Sequence, residues 1–318
     1  MTDCIEIRNL KKYFNVPKGT LHAVDDVSFK IEKGKTLGVV GESGCGKSTL
    51  GRTIIHLLDS TDGQIFFNGK DITKVKGKKL REIREHMQII FQDPYSSLNP
   101  RYTVEQTIQE PIMLTHKYSK KEIEEQTIKI MREVGIDERL RLSYPHELDG
   151  GRRQRVGIAR ALALGPDFIV CDEPVSALDV SVQAQVLNLL MDLQEQRQLT
   201  YMFVTHDLSV VRHISDDICV MYLGQLVEKS PSKELFEKQL HPYTRALLSA
   251  IPSTDITHPM KRIHLNSEIT SPINPKPGCR FAARCPYAKE ECQGTQRMEE
   301  LLPNHFVACC RARELNGL

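Results

Sequence analysis

A nine-residue stretch near the amino terminus, Gly41-Glu-Ser-Gly-Cys-Gly-Lys-Ser-Thr49, has the residue types and spacing of a phosphate-binding loop. Its glycines let the backbone curl so that N–H groups point at phosphate oxygens, and a following helix adds the positive end of its dipole. Lys47 can reach the β- and γ-phosphates of a nucleoside triphosphate, and Ser48 can bind Mg²⁺. The residues predicted to surround the nucleotide here are Gly41, Ser43, Gly44, Cys45, Gly46, Lys47, Ser48 and Thr49.

Two adjacent carboxylates, Asp172 and Glu173, end an apolar run that begins at Phe168. Successive strand residues point to opposite faces, so the two acids can have different tasks, one beside Mg²⁺ and one beside the attacking water. A second apolar run, residues 201–204, is followed by His206, which we interpret as a sensor of the terminal phosphate. This pattern indicates phosphoryl transfer to water.

Three further sites could contact the nucleotide. Gln92 follows the apolar run 87–91, where a strand ends and a loop begins. Residues 148–152 place two glycines at the start of a helix, which is a second candidate anion site. Tyr13 and Phe14 lie between two predicted strands, where an aromatic ring could stack on adenine; ordinary core packing is the alternative.

Apolar patterns predict the elements that position these groups. Residues 36–40 read as a buried strand and 50–58 as a helix, the arrangement that a phosphate-binding loop requires. Residues 3–31 predict an antiparallel flap, and 63–69 a hairpin. Residues 104–142 predict helices inserted into an α/β domain.

Composition limits the function classes. The chain has 318 residues, which is more than one domain usually needs, and 40% of them are apolar. Its 43 Lys and Arg against 41 Asp and Glu give a formal charge of +2, so no nucleic-acid partner is expected. No apolar run approaches the length of a membrane span, and the first residues lack a signal-peptide pattern. We expect a cytoplasmic chain that reaches a membrane only through a partner.

Five of the nine cysteines are concentrated after residue 278. A segment of about forty residues can hardly build a core alone, so a metal centre is expected to hold it together. The spacing lacks the close Cys-x-x-Cys pairs of structural zinc sites, which favours a [4Fe–4S] cluster; zinc or no metal are the alternatives. The expected ligands are Cys279, Cys285, Cys292 and Cys309.

Together these motifs resemble the ATP-binding subunit of an ABC transporter over about residues 3–250. The resemblance implies a P-loop NTPase fold of the α/β class, with a RecA-like core, an antiparallel β flap and a helical subdomain. Residues 41–49 then correspond to the Walker A loop, 168–172 to Walker B and 148–152 to the signature. The resemblance implies that Glu173 is the catalytic base and that His206 is the switch histidine. Gln92 would be the Q-loop glutamine and a Mg²⁺ contact, and Asp172 and Ser48 would be Mg²⁺ ligands. The further ATP contacts would be Asp149, Gly150, Gly151 and the D-loop residue Asp179.

Two stretches narrow the resemblance to dipeptide and oligopeptide importers, residues 91–101 and 241–248. It implies a heterodimer with a second ATPase subunit, two membrane permease subunits and an extracytoplasmic peptide-binding protein. ATP would lie between the Walker A loop of one subunit and the signature of the other. The cysteine-rich end is similar to the carboxyl-terminal extension of these ATPases, in which residues 305–309 would carry the last ligand and Cys310 would be spare.

The signature departs from the usual Leu-Ser-Gly-Gly-Gln, because Asp149 and Arg152 replace serine and glutamine. An ionised aspartate only accepts hydrogen bonds and adds negative charge beside a γ-phosphate, unless a neighbouring arginine offsets it. The site that this chain completes for its partner could therefore be degenerate.

The sequence thus predicts an ATPase domain at 1–251, with its helical subdomain at about 93–155, a linker at 252–277 and a separate cysteine-rich segment at 278–318. The preferred function is an ATP-hydrolysing subunit of a peptide importer at the cytoplasmic face of the membrane. A soluble ABC-type ATPase and a nucleotide-binding regulatory subunit without turnover are the alternatives.

Overall fold

The computed structural model describes residues 2–251, 263, 265 and 271–318. Most of the predicted linker therefore lies outside the described residues. The chain divides into two compact units. The first comprises Met1–Cys4, Glu32–Gly34 and Lys74–Met202, and the second comprises Ile5–Ile31, Lys35–Thr73 and Phe203–Leu318.

The regular elements alternate between strands and helices along much of the chain. The strands are β1 (Asp3–Val16), β2 (Gly19–Glu32), β3 (Thr36–Val40), β4 (Asp62–Phe67), β5 (Lys70–Asp71), β6 (Met87–Ile90), β7 (Phe168–Asp172), β8 (Thr200–Thr205), β9 (Asp217–Tyr222), β10 (Gln225–Pro231), β11 (Glu299–Leu302) and β12 (His305–Val307). The α-helices are α1 (Lys47–Ile54), α2 (Gly77–His86), α3 (Pro94–Ser97), α4 (Val104–Thr115), α5 (Lys120–Glu133), α6 (Gly150–Leu162), α7 (Val180–Arg197), α8 (Leu208–Ile214), α9 (Ser232–Glu237), α10 (Pro242–Ser249) and α11 (Ala312–Asn316).

The first unit combines parallel strands with the predicted helices. Strands β6 and β7 pair in parallel, with Met87 opposite Phe168. Both α4 and α5 begin at capping boxes, in which Thr103 and Ser119 accept hydrogen bonds from backbone N–H groups of the first turn. Buried apolar side chains of α4, α5 and α6 form the interior of this helical region.

The second unit contains two sets of paired strands. Strand β3 is buried throughout and pairs in parallel with β9, with Val40 opposite Val220. From β3 outward the order is β9, β10, β12 and β11, and the last three pairings are antiparallel. The predicted flap is a second sheet in the order β2, β1, β4, β5. The hairpin predicted at 63–69 is formed by β4 and β5.

The first helix differs from its predicted span of 50–58. Helix α1 begins at Lys47, because Gly46 is its N-cap, and ends at Ile54. His56 has a positive φ of 58°, which is incompatible with continuing the helix. The phosphate-binding loop therefore runs directly into a helix, and Lys47 is the first helical residue.

The cysteine-rich segment does not pack as an isolated module, contrary to the sequence expectation. Strand β12 pairs with β10, so the segment extends the same set of strands that contains β3. Phe281 is 1% exposed and packs in a core cluster with Tyr222 and Tyr243. Its described residues share the second unit with the phosphate-binding loop.

Helix α7 is the longest described helix, and its composition is mixed. No helix among the described residues is both long and apolar enough to cross a bilayer.

Candidate functional site

The phosphate-binding loop adopts a backbone that only glycine tolerates at two points. Gly41 and Gly46 have φ values of 154° and 106°. A Cβ at Gly41 would overlap the carbonyl oxygen of Met221, and one at Gly46 would overlap that of Ala23. Gly46 is the N-cap of α1 and offers no side-chain cap, so the positive end of the helix begins at the loop. This cradle suits a phosphate group.

Lys47 is buried with 5% of its surface exposed, and its ammonium group lies inside the loop. Nζ donates to the carbonyl oxygens of Gly41, at 2.7 Å, and Glu42, at 3.0 Å. It also lies 3.9 Å from the Cys45 sulfur. Burial raises the pKa of the Cys45 thiol, so this side chain remains a neutral part of the loop wall. The lysine charge is therefore held where phosphate oxygens would arrive.

Glu42 is held by the carboxyl-terminal part of the chain. Its backbone N–H donates to the Tyr243 hydroxyl at 3.0 Å. Its carboxylate receives two hydrogen bonds from Arg284, Nη1 to Oε2 at 2.7 Å and Nη2 to Oε1 at 3.0 Å. No motif in the sequence indicates either contact, because both join residues more than 200 positions apart.

Gln92 and Glu173 lie next to each other in the first unit. Gln92 Nε2 donates to Glu173 Oε2 at 3.0 Å. Glu173 has a positive φ of 49°, which is uncommon for a residue with a side chain and places its carboxylate beyond the end of β7. Asp172, the last residue of β7, is 1% exposed. The two acids thus have different environments.

The signature position is the start of α6. Asp149 is exposed and caps the helix, because its Oδ1 accepts from the backbone N–H of Arg152 at 2.7 Å. Its Oδ2 lies 3.5 Å from Arg152 Nε, so the two residues that differ from the usual signature form an ion pair with each other. Gly151 is buried, and a Cβ there would press on Val182.

Two other predicted residues lie at element boundaries. Asp179 caps α7 by accepting from the Val182 N–H, and a hydrogen bond from the Ser181 hydroxyl lowers its pKa. His206 follows β8 directly and is exposed, in the second unit with the phosphate-binding loop. Gln92, Asp149, Asp172, Glu173 and Asp179 belong to the first unit.

The predicted adenine platform is partly occupied by the protein itself. The Tyr13 ring stacks on His22 with centroids 4.0 Å apart, and its hydroxyl donates to Asp25. Burial raises the pKa of Asp25, but the bonds from Tyr13 and Arg280 outweigh this effect and hold it below its usual value. Phe14 has the Lys12 ammonium 4.8 Å from its ring centroid. His22 thus covers one face of the Tyr13 ring, and that face is not open for stacking on adenine.

The clustered cysteines line one small cavity, together with Cys310. The sulfur of Cys310 lies 3.9 Å from that of Cys292, so the predicted spare cysteine is beside the predicted ligands. Burial raises the pKa of Cys279 to about 12, and binding of a metal would have to displace such protons. In the described part of the chain, however, no three His, Cys, Asp or Glu side chains are arranged to hold a metal ion.

Residues 24–176 match a family model described as ABC transporter, and residues 227–292 match one described as the carboxyl-terminal region of oligopeptide/dipeptide transporters. The oligopeptide transport ATP-binding protein AppF of Bacillus subtilis is 51% identical over 96% of this chain and 96% of its own length. The protein OppF of Salmonella typhimurium is 48% identical over 98% of this chain and 97% of its own length.

A solved structure shares the fold of much of the chain. The ATP-binding cassette MJ0796, a dimer in a post-hydrolysis state with ADP and Pi, superimposes with a TM-score of 0.66 at 27% identity, over 72% of this chain and 98% of that one. The chain therefore belongs to the ABC transporter ATPases, in the group of oligopeptide and dipeptide transporters.

Proposed function

We propose that this ATPase powers the import of dipeptides or oligopeptides through a membrane ABC transporter. The observation that carries the proposal is the likeness to AppF and OppF, both named oligopeptide transport ATP-binding proteins, along nearly the whole chain. The match at 227–292 to the carboxyl-terminal region of such transporters supports it independently of the ATPase motifs.

In the proposed mechanism, loop 41–49 holds the ATP phosphates, with Lys47 beside the β- and γ-phosphates. Ser48, Asp172 and Gln92 would hold Mg²⁺, which neutralises charge that develops on the phosphates. Glu173 takes the proton of the attacking water, and His206 contacts the γ-phosphate. The bond between Gln92 and Glu173 orients the carboxylate before the water arrives.

The proposed assembly contains a second ATPase subunit, two permease subunits and an extracytoplasmic peptide-binding protein, with this chain at the cytoplasmic face of the membrane. The first unit has exposed apolar side chains that such partners could bury. In the helical region they are Tyr95, Met113, Leu114 and Leu142, and Val180 lies next to Asp179. Val180 is 82% exposed, which suits burial against a second ATPase.

The proposal is tested by purifying the tagged full chain from membranes and identifying the chains that accompany it. We expect two permeases and a second ABC ATPase, and we expect vesicles that contain the assembly to take up labelled peptides only with ATP and the binding protein. Recovery of the chain alone, or with ribosomal or nucleic-acid components, would contradict the transport function and support a soluble ABC ATPase.

The Asp149 and Arg152 pair gives the first specific prediction. Asp149→Ser with Arg152→Gln should raise the ATPase rate of the assembled heterodimer about two- to fivefold, because a serine hydroxyl can donate to the γ-phosphate and a carboxylate cannot. The chain offers a similar control, since Asp137 caps a 3₁₀ helix by accepting from the Arg139 N–H and its Oδ1 also lies 3.5 Å from Arg139 Nε. Asp137→Ser with Arg139→Gln should leave the rate unchanged. Equal rates for both double variants would contradict the predicted effect of Asp149 and would mean either that its basic neighbours already offset the charge or that the other ATP site alone sets turnover.

We also propose that Cys279, Cys285, Cys292 and Cys309 bind one [4Fe–4S] cluster. Their thiols line a common cavity, but no three of them are arranged to hold a metal ion in this structure, so the proposal requires the side chains to move together on binding. Protein purified without oxygen should be brown, with iron and sulfide near four per chain. Cys285→Ser should lose the colour and expose the cysteine-rich segment 278–318, which we call the tail, to protease. Cys310→Ser is the control and should keep its iron. A colourless protein with one zinc per chain, or with no metal, would contradict the cluster.

A further inference from the structure

We infer that the cysteine-rich tail completes the ATP site through Arg284, which positions Glu42 of the phosphate-binding loop and neutralises its carboxylate. Arg284 is thus a positioning residue for nucleotide binding, although it lies 242 residues away from Glu42 in sequence. This inference rests on the assignment of loop 41–49 as the phosphate site in the proposed function.

The contact has the geometry of a specific ion pair. Both terminal nitrogens of Arg284 donate to the two oxygens of Glu42, which is the bidentate arrangement that fixes a carboxylate in direction as well as in position. Only 8% of the Arg284 side chain and 24% of the Glu42 side chain are exposed, so solvent screens the pair weakly. These bonds raise the pKa of Arg284 above its usual value, and the guanidinium remains charged.

Arg284 is itself held in place by the tail. It ends a short 3₁₀ helix, Ala282–Arg284, that follows the buried Phe281. The Phe281 ring packs edge-on against Tyr222 at 5.3 Å between centroids, and the Arg284 guanidinium lies 5.8 Å from the same tyrosine ring. Nη1 also approaches the Tyr222 hydroxyl at 3.4 Å. The guanidinium is therefore oriented before it meets the loop.

Glu42 is the point at which tail and loop are joined. Its carbonyl oxygen accepts from Lys47, its N–H donates to Tyr243 and its carboxylate binds Arg284, so all three of its polar groups are engaged. Tyr243 belongs to α10, and the stretch 241–248 comprises the N-cap of this helix, His241, and all of its residues except the last. The tail and α10 together fix the loop residue that bonds to the phosphate-binding lysine.

The charge of Glu42 determines how ATP affinity should change when Arg284 is removed. A glutamate in a phosphate-binding loop repels the phosphates of ATP unless a cation offsets it. Removing Arg284 leaves that carboxylate unpaired in a partly buried position, so nucleotide affinity should fall, and it should fall more for ligands with more phosphate charge. Removing both partners takes away the repulsion as well as the attraction, and affinity should largely return.

The test measures binding of a fluorescent ATP analogue with Mg²⁺ to the full chain, and displacement by ATP, ADP and AMP. Arg284→Met should weaken ATP binding about 10- to 100-fold and AMP binding much less. Arg284→Met with Glu42→Gln should bind ATP within about threefold of the unchanged protein. Arg311→Met is the matched control, because Arg311 is another buried tail arginine, 8% exposed at its side chain, whose partner is Glu314. It should leave ATP affinity unchanged.

Three results would separate the possibilities. Equal weakening in the single and double variants, or in Arg311→Met, would overturn the inference, because the arginine would then only support the tail. Unchanged ATP binding in Arg284→Met would overturn it too, provided that Lys47→Ala abolishes binding. If Lys47→Ala kept its affinity for ATP, the assignment of the loop itself would be wrong.

Discussion

Replacing Glu173 with glutamine should lower ATP turnover of the assembled transporter about 10²- to 10⁴-fold while ATP remains bound. The exchange alters one atom and keeps an oxygen that can accept from Gln92, so the loop after β7 should retain its shape. What is lost is the ability to accept a proton from water. Because binding is spared and hydrolysis is not, the ATP-bound pair of ATPase subunits should accumulate.

Two measurements check this result. Turnover is followed as phosphate release from the purified assembly, and the trapped state as retention of labelled ATP on a sized complex. Glu195→Gln changes an exposed glutamate on α7 of the same unit and should hydrolyse ATP normally. Turnover of the Glu173 variant within about twofold of the control would show that another group is the base.

Much of the fold follows from local patterns. Strands β3, β7 and β8 are buried along their whole lengths, so apolar runs bounded by polar residues were enough to locate them. The phosphate-binding loop was recognisable because glycine is required at positions where a Cβ would strike backbone oxygens. The sequence placed Gln92 and Glu173 each at the end of an apolar strand, but the parallel pairing of β6 with β7 and the hydrogen bond between the two side chains come from the structure alone.

The packing of the tail against the rest of the second unit could not be predicted from local sequence patterns. Its contacts join residues far apart in sequence, such as Arg284 with Glu42 and Arg280 with Asp25, and each partner is an ordinary charged residue in its local context. A cluster of cysteines suggested a separate module because metal centres often hold small segments together. The bulky aromatic Phe281 between two of those cysteines was the available sign of a shared core.

Asp149 shows a further limit of sequence patterns. The carboxylate differs in charge from the usual serine, but aspartate and serine are both good helix caps. The sequence therefore predicts a chemical difference, whereas the structure shows that Asp149 also has a local task that serine could perform, the hydrogen bond from the Arg152 N–H. Because serine can also cap the helix, the double variant tests the charge difference while leaving the cap in place.

Glu228→Ala should destabilise the second unit by about 3–6 kcal/mol, the largest stability effect that we expect from one substitution. Glu228 lies on β10 and is completely buried. Its carboxylate accepts from the backbone N–H groups of Leu240 and His241 and lies 2.7 Å from Nε2 of His305 on the tail strand β12. Alanine would leave three buried polar groups without this partner, at about 1–2 kcal/mol each.

Because Glu228 joins α10, β10 and β12, its loss should release the tail and the residues before α10 together. Urea unfolding of the full chain should show a lower midpoint, and protease should cut the tail sooner. Glu299→Ala removes an exposed glutamate from the neighbouring strand β11 and should change stability by less than about 0.5 kcal/mol. Glu228→Gln, which keeps one acceptor oxygen, should fall between the two. If Glu228→Ala unfolded at the same urea concentration as Glu299→Ala, the buried carboxylate would not hold the tail strand, and β12 would depend on its backbone pairing with β10 and on apolar contacts.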